Sequence, residues 1–228
     1  MKEDRMTVEP YKLIRPCFFF CFCYLILTMA PAKAITPLTK ITRIDSVDST
    51  HSCWFNAAVM PSKERAVLLS GFLSGLYTGS MTALYSQWYS DYPASRFHFF
   101  NDAREWEGMD KFGHAWDAYS IAKPVSRCLH WAGHDQRKSA IYGTGIALLF
   151  QSTVEVFDGF SQGWGFSVAD MAANLLGAGC FLGQELAWKE QRIVLKYSFH
   201  TTGFSVYRPE LLGRTLPERI LKDYNGLT

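Results

Sequence analysis

Asp110, His114 and Asp117 stand at positions i, i+4 and i+7 of an otherwise apolar stretch, a spacing that stacks them in one narrow arc of a helix. Gln151, Glu155 and Asp158 repeat the device further on, and Asp170, Asn174 and Gly177 repeat it again. If the three polar stripes face inward, one imidazole meets several carboxylates in a low-dielectric interior. Such a set has two chemistries: it can coordinate a divalent metal, or it can share acid–base work, because burial raises carboxylate pKa values and lowers that of histidine. Three plainer roles compete. Asp110 and Asp170 sit in first turns, where a carboxylate caps backbone N–H groups; the Asp110–Asp117 stripe can be the wet face of a soluble helix; or the groups form a satisfied network that sets helix register. The candidate centre is Asp110, His114, Glu155, Asp158, Asp170 and Asn174, with a divalent metal of open identity as its cofactor.

Four helices must position these residues. Ser62 after Pro61 caps the first, with Glu64 in its opening turn. No formal charge then occurs between Arg65 and Asp91, a run long enough to cross a bilayer at about 1.5 Å per residue and equally suited, with its many Ser, Thr and Gly, to a helix buried in a soluble bundle. Gly71, Gly75, Gly79 and Ala83 form a smooth ridge within it that another helix can approach closely. A second helix starts near Asp110, meets Pro124, where a kink is expected, and stops around Gly133. Its aromatic side (Phe112, Trp116, Tyr119) is expected to look outward if the polar stripe looks inward. A third helix runs from about Gln136 to Phe157. The glycine-rich loop Asp158–Phe166 follows, read foremost as a packed interhelical turn and otherwise as an aromatic lid or interfacial loop. Ser167 and Asp170 make a capping box for a fourth helix that runs to about Lys189. The alternation of Ile193, Leu195, Tyr197 and Phe199 with polar residues predicts a β-hairpin closing at His200–Gly203, and Pro217–Asp223 a short last helix.

The N-terminus fixes the compartment. Lys2, Arg5, Lys12 and Arg15 precede an apolar run from Cys17 to Met29, and Ala32-Lys33-Ala34 supplies small residues at a cleavage site. This is a secretory signal, with an apolar core too short for a permanent anchor. Cleavage after Ala34 leaves 194 residues with 18 charges of each sign. Balanced charge and the lack of a basic run, zinc-finger spacing, P-loop or dinucleotide fingerprint argue against a nucleic-acid partner. Cys17, Cys21 and Cys23 lie in the signal, and none follows the small apolar box that lipid attachment uses. Cys53, Cys128 and Cys180 are widely spaced and allow at most one bridge.

Asp110-Lys-Phe-Gly-His114 and the run from Glu155 to Asp170 with Asn174 resemble the YfiM-like family of uncharacterised exported bacterial proteins, many described as predicted periplasmic lipoproteins. The resemblance extends over roughly residues 64–226. More remotely, Asp110-Lys111, His114, Glu155, Asp170, Asn174 and Gly177 are similar to the pattern of VanZ-like membrane proteins, a family associated with glycopeptide-antibiotic resistance. This chain lacks the Gln and Arg that VanZ-like proteins tend to carry between the Glu and the Asp, and neither resemblance implies an established activity.

The sequence thus predicts a mainly α chain: signal peptide 1–34, extended leader 35–60, four-helix antiparallel bundle 61–190, and β-hairpin with short helix 191–228. It reads as an exported, membrane-associated envelope protein whose polar centre has a structural or ligand-binding role, with a small molecule or lipid as ligand and no particular oligomeric state. The alternative is a metal-assisted envelope hydrolase acting on a lipid or cell-wall precursor. A soluble periplasmic binding module is the third reading.

Overall fold

The computed structural model describes residues 56–226 apart from 59, 91, 105–107, 217, 218, 221 and 222; the signal peptide and nearly all of the leader lie outside the described residues. Four long helices appear: α1 (Lys63–Leu84), α2 (Met109–Trp131), α3 (Gln136–Gly159) and α4 (Val168–Trp188). Their starts are set locally. Ser62 accepts from Arg65 N at 3.4 Å, Asp135 from Lys138 N at 2.9 Å and Ser167 from Asp170 N at 3.1 Å, each satisfying an N–H that has no partner inside its helix. Lys189, in the left-handed region at φ 58°, ends α4. Pro124 sits inside α2, which continues to Trp131.

The core is built by α2, α3 and α4, which pack against one another. Tyr119 and Ala122 of α2, Ala140 and Ala147 of α3 and Phe181 of α4 form one buried cluster. Contacts give the helix directions. Ala115 lies against Gly177 and Tyr119 against Phe181, so α2 and α4 run parallel. Gly143 lies against Ser126 while Glu155 lies against His114, so α3 is antiparallel to both.

The fourth member is peripheral, which corrects the expected four-helix bundle. At its start α1 is tied down by the buried Arg65, whose guanidinium donates to the carbonyls of Asn56 (2.6 Å) and Trp131 (2.9 Å) and stacks on the Trp131 ring. Towards its end, Met81 and Leu84 join Tyr89, from a π-helical turn (Tyr85–Tyr89), and Val154 of α3 in a second cluster. Between these attachments most of α1 is exposed, and among the described residues its glycine ridge receives no helix: a Cβ at Gly71, Gly75 or Gly79 would meet nothing within 4 Å. Both α1 and α3 are long and apolar enough to cross a membrane by length and composition. Val67, Leu68, Phe72, Leu149, Leu175 and Leu176 all lie exposed.

The aromatic side of α2 is not uniformly outward. Trp116 and Tyr119 are buried, against Tyr197 and Phe181, and Phe112 alone of the three is exposed. A helix wedged between two others and a covering tail has no free side for them. That tail is not a hairpin. Residues 191–203 contain no named strand, and Phe204–Tyr207 is a short helix, α5, followed by α6 (Pro209–Leu212). At the start of the alternating segment side chains take the backbone groups: Gln184 accepts from the N–H groups of Arg192 and Ile193, while Gln184 and Tyr119 donate to the Ile193 carbonyl. Helix-type bonds from Asp223 N to Arg219 O and from Arg219 N to Thr215 O lie where the last short helix was expected.

Two short strands finish the frame. Phe99–Phe100 (β1) pairs in parallel with Phe166–Ser167 (β2), Phe99 opposite Phe166 and Phe100 opposite Ser167. The Asp158–Phe166 loop packs against the same segment as an interhelical turn, with the Trp164 ring 4.5 Å from that of Tyr92. Cys128 and Cys180 are free thiols, and Cys53 lies outside the described residues.

The α2–α4 approach leads to a test. A Cβ at Gly177 would fall 1.8 Å from the Ala115 carbonyl oxygen, whereas at Gly179 it would meet nothing within 4 Å. Gly177→Ala is expected to lower unfolding stability by about 3 kcal/mol or more, because two backbones must separate. Gly179→Ala should stay within about 1 kcal/mol of the parent, on the stabilising side. Urea denaturation of the two variants compares them directly.

Candidate functional site

The parallel arrangement of α2 and α4 sets their N-termini side by side, and antiparallel α3 brings its C-terminal turns to the same end. Asp110 and His114 come from the first turns of α2, Asp170 and Asn174 from those of α4, and Glu155 from the last turns of α3. These five converge. His114 Nε2 lies 3.8 Å from Asp110 Oδ1 and 3.7 Å from Asp170 Oδ2, and His114 Nδ1 lies 3.5 Å from Glu155 Oε1. Asn174, fully buried, accepts from Gln151 Nε2 at 3.2 Å. The side chains of Asp110 and His114 remain 31% and 21% exposed, so the centre is reachable from outside.

Asp158 stands apart from this group. One turn further along α3, its Oδ1 accepts a 2.7 Å hydrogen bond from Tyr89 OH, so it belongs to the α1–α3 seam. Asp117, deeper along α2, has its carboxyl held well above the ordinary range by burial first and by Asp110 second.

Two residues outside the expected set are central. Lys111 Nζ contacts Asp170 Oδ1 at 2.5 Å, Asp110 Oδ2 at 2.6 Å and Asp102 Oδ1 at 2.9 Å. Ser167 donates to Asp102 at 2.5 Å while accepting from Asp170 N. The β1–β2 pairing delivers Asp102, two residues beyond Phe100, to Ser167. Lys111 was legible beside Asp110 in the Asp-Lys-Phe-Gly-His run. Asp102 carries no sequence signal, because it sits in a loop where no periodicity marks its direction.

The electrostatics are crowded. Lys111 is held above its ordinary range: burial opposes its charge, but bonds to Asp110, Asp170 and Asp102 outweigh that. Asp102 is also raised by burial, yet its bonds with Asp170, Ser167 and Lys111 leave it below the usual value. One ammonium does not serve every carboxylate. Burial, with Asp158 and Asp170 nearby, pushes Glu155 up to about 9, and burial with the Asp102 and Asp110 acids pushes Asp170 up to about 8. Burial lowers His114 against the pull of Asp110. Four buried atoms lack a hydrogen bond: His114 Nδ1, Glu155 Oε1, Asn174 Nδ2 and Asp170 Oδ1. The last of these meets Lys111 as a charge contact without hydrogen-bond alignment.

Residues 98–182 match the model of a family described as predicted periplasmic lipoprotein (DUF2279). The matched segment contains every residue of the centre and both motifs that carry them. No curated protein and no solved structure matches the chain. The family description agrees with an exported, envelope-associated protein.

Asp158 offers a test of the seam beside the centre. Burial raises its carboxyl to about 7, against the opposing Tyr89 hydrogen bond and with Asp110 and Asp102 adding to the rise. The folded state therefore holds this proton to higher pH than the unfolded chain does. Its contribution to stability falls as pH rises from about 4 to about 7 and is level above that. Asp158→Asn keeps an acceptor for Tyr89 but cannot titrate, so it should lose less stability than the parent between pH 4.5 and 7.5. Equal losses in denaturation curves at the two pH values would show that Asp158 does not hold the proton.

Proposed function

We propose that this is an exported, membrane-associated envelope protein in which Asp110, His114, Glu155, Asp170 and Asn174 form a ligand-binding centre. The observation that carries the reading is the surplus of buried polar groups at one reachable point: Glu155 Oε1, His114 Nδ1 and Asn174 Nδ2 have no hydrogen-bond partner. A network serving only to fix helix register saturates its members, since each unsatisfied buried polar group costs about 1–3 kcal/mol. Groups left short in the free protein are groups that a ligand satisfies. Membrane association rests on the exposed apolar residues of α1 and α4, which lipid would cover. The family description supports the compartment.

A second reading has one favouring observation, the placement of His114 beside Glu155 and Asp170, carboxyls held protonated near neutral pH. Such groups suit acid–base work, and this reading makes the protein a metal-assisted hydrolase of a lipid or cell-wall precursor. The motif likenesses to YfiM-like and VanZ-like proteins fit either reading.

Stability separates a ligand centre from a structural one. Relieving a strained, ligand-ready cluster is expected to leave stability unchanged or raise it, so Glu155→Gln and His114→Ala should have urea midpoints at or above the parent's. A loss of about 2 kcal/mol or more in both would make the cluster a structural network. For association, the protein should stay in the pellet when membranes are washed with high salt and alkaline carbonate, and leave it in detergent. Release by the washes alone would identify a soluble periplasmic protein.

A further inference from the structure

We propose that Asp110, His114 and Asp170 bind a single divalent transition-metal ion, with His114 ligating through Nε2 and Glu155 holding the opposite ring nitrogen. This rests on the ligand-centre reading above and commits it to one class of ligand.

The division of oxygens is the first argument. Asp110 gives Oδ2 to Lys111 and turns Oδ1 towards His114 Nε2, and Asp170 gives Oδ1 to Lys111 and turns Oδ2 to the same nitrogen. Lys111 therefore orients both carboxylates without using the atoms that face the imidazole. One ligand atom from each of Asp110, His114 and Asp170 lies within 4.8 Å of the others, and the two nitrogen–oxygen separations at His114 Nε2, 3.7 and 3.8 Å, are too long for hydrogen bonds. Ligand atoms about 2.0–2.2 Å from a tetrahedral ion stand roughly 3.4 Å apart, so a small inward movement seats a metal.

The second argument is independent of the acidic cluster. Glu155 is 1% exposed and its Oε1, without a hydrogen bond, points at His114 Nδ1 from 3.5 Å. A carboxylate behind the non-ligating nitrogen of a metal-bound histidine fixes the tautomer and ring orientation, leaving Nε2 bare for the ion. Asn174, fully buried with Nδ2 unpartnered, supplies a polar wall on the same side.

The donor set narrows the ion. One imidazole nitrogen with two carboxylate oxygens suits Zn²⁺, Mn²⁺ or Fe²⁺ over Mg²⁺ or Ca²⁺, which prefer all-oxygen surroundings. Three protein ligands leave a position for water or for a ligand oxygen, the arrangement of a working rather than a closed metal site.

The test titrates the full-length chain, stripped with chelator, with Zn²⁺, Mn²⁺ and Co²⁺. One ion per chain is expected, with visible d–d absorption from Co²⁺ and a higher thermal midpoint. Asp170→Asn and His114→Ala should abolish saturable binding, and Asp110→Asn, at a part-exposed position, should weaken it with the fold intact by circular dichroism. Glu155→Gln should retain one ion per chain at about 10–100-fold lower affinity. Absence of one-to-one binding by the folded parent, or parent-like affinity in both Asp110→Asn and His114→Ala, overturns the metal assignment. The urea comparison of metal-free proteins distinguishes the failures: unchanged stability in His114→Ala with no metal bound removes only the metal, whereas loss of stability removes the ligand centre as well.

Discussion

The backbones of α2 and α4 touch at Ala115 and Gly177, so closely that a single methyl group at Gly177 would overlap a carbonyl oxygen. Most of the site's geometry follows from that approach. Two parallel helices this close set their N-termini together, and each N-terminus carries partial positive charge from its unpaired N–H groups. Asp110 and Asp170 sit in those first turns, where carboxylates are favoured electrostatically. The side chain of Lys111 can reach both only because the helix axes are near each other.

Around this contact the molecule concentrates more acid than it neutralises. Lys111 serves Asp102, Asp110 and Asp170, but Glu155 approaches from the C-terminal end of α3, where the helix dipole is unfavourable to a carboxylate, and it faces an imidazole rather than a cation. Burial and the neighbouring acids push the carboxyls of Glu155 and Asp170 up to about 9 and about 8, which favours their protons near neutral pH. A bound cation would replace those protons with its own charge, which is why the crowding and the unpartnered buried atoms point to the same conclusion. The Tyr119–Phe181 cluster and the Arg65–Trp131 tie hold the surrounding helices in position.

The apolar exterior belongs to the same logic. With α2, α3 and α4 packed around small residues at Ala122, Ala140 and Ala147, the larger apolar side chains of α1 and α4 are left facing out. Among the described residues α1 is fastened at its start by Arg65 and near its end by Met81 and Leu84, and most of its surface between them is exposed.

Local interactions were legible in the sequence. Ser62 and Ser167 cap helices through bonds to residues three positions on, so their signals depend on neighbours along the chain. The i, i+4 spacing of Asp110 and His114, and the polar stripes on two later helices, likewise encode direction without long-range information. Pairing was decided only in three dimensions. The glycine ridge of α1 reads as a contact surface yet meets no helix among the described residues, while Gly177 takes the close approach, because small size permits a contact and does not choose its partner. The alternation at 193–199 reads as a strand, but it forms no named strand, and at its start Gln184 and Tyr119 occupy the backbone groups of Ile193. Asp158 shares the stripe of Glu155 but is taken by Tyr89 from the π-helical turn after α1. Asp102 enters the centre through β1 and β2, a pairing between residues far apart in the chain whose register no local pattern specifies.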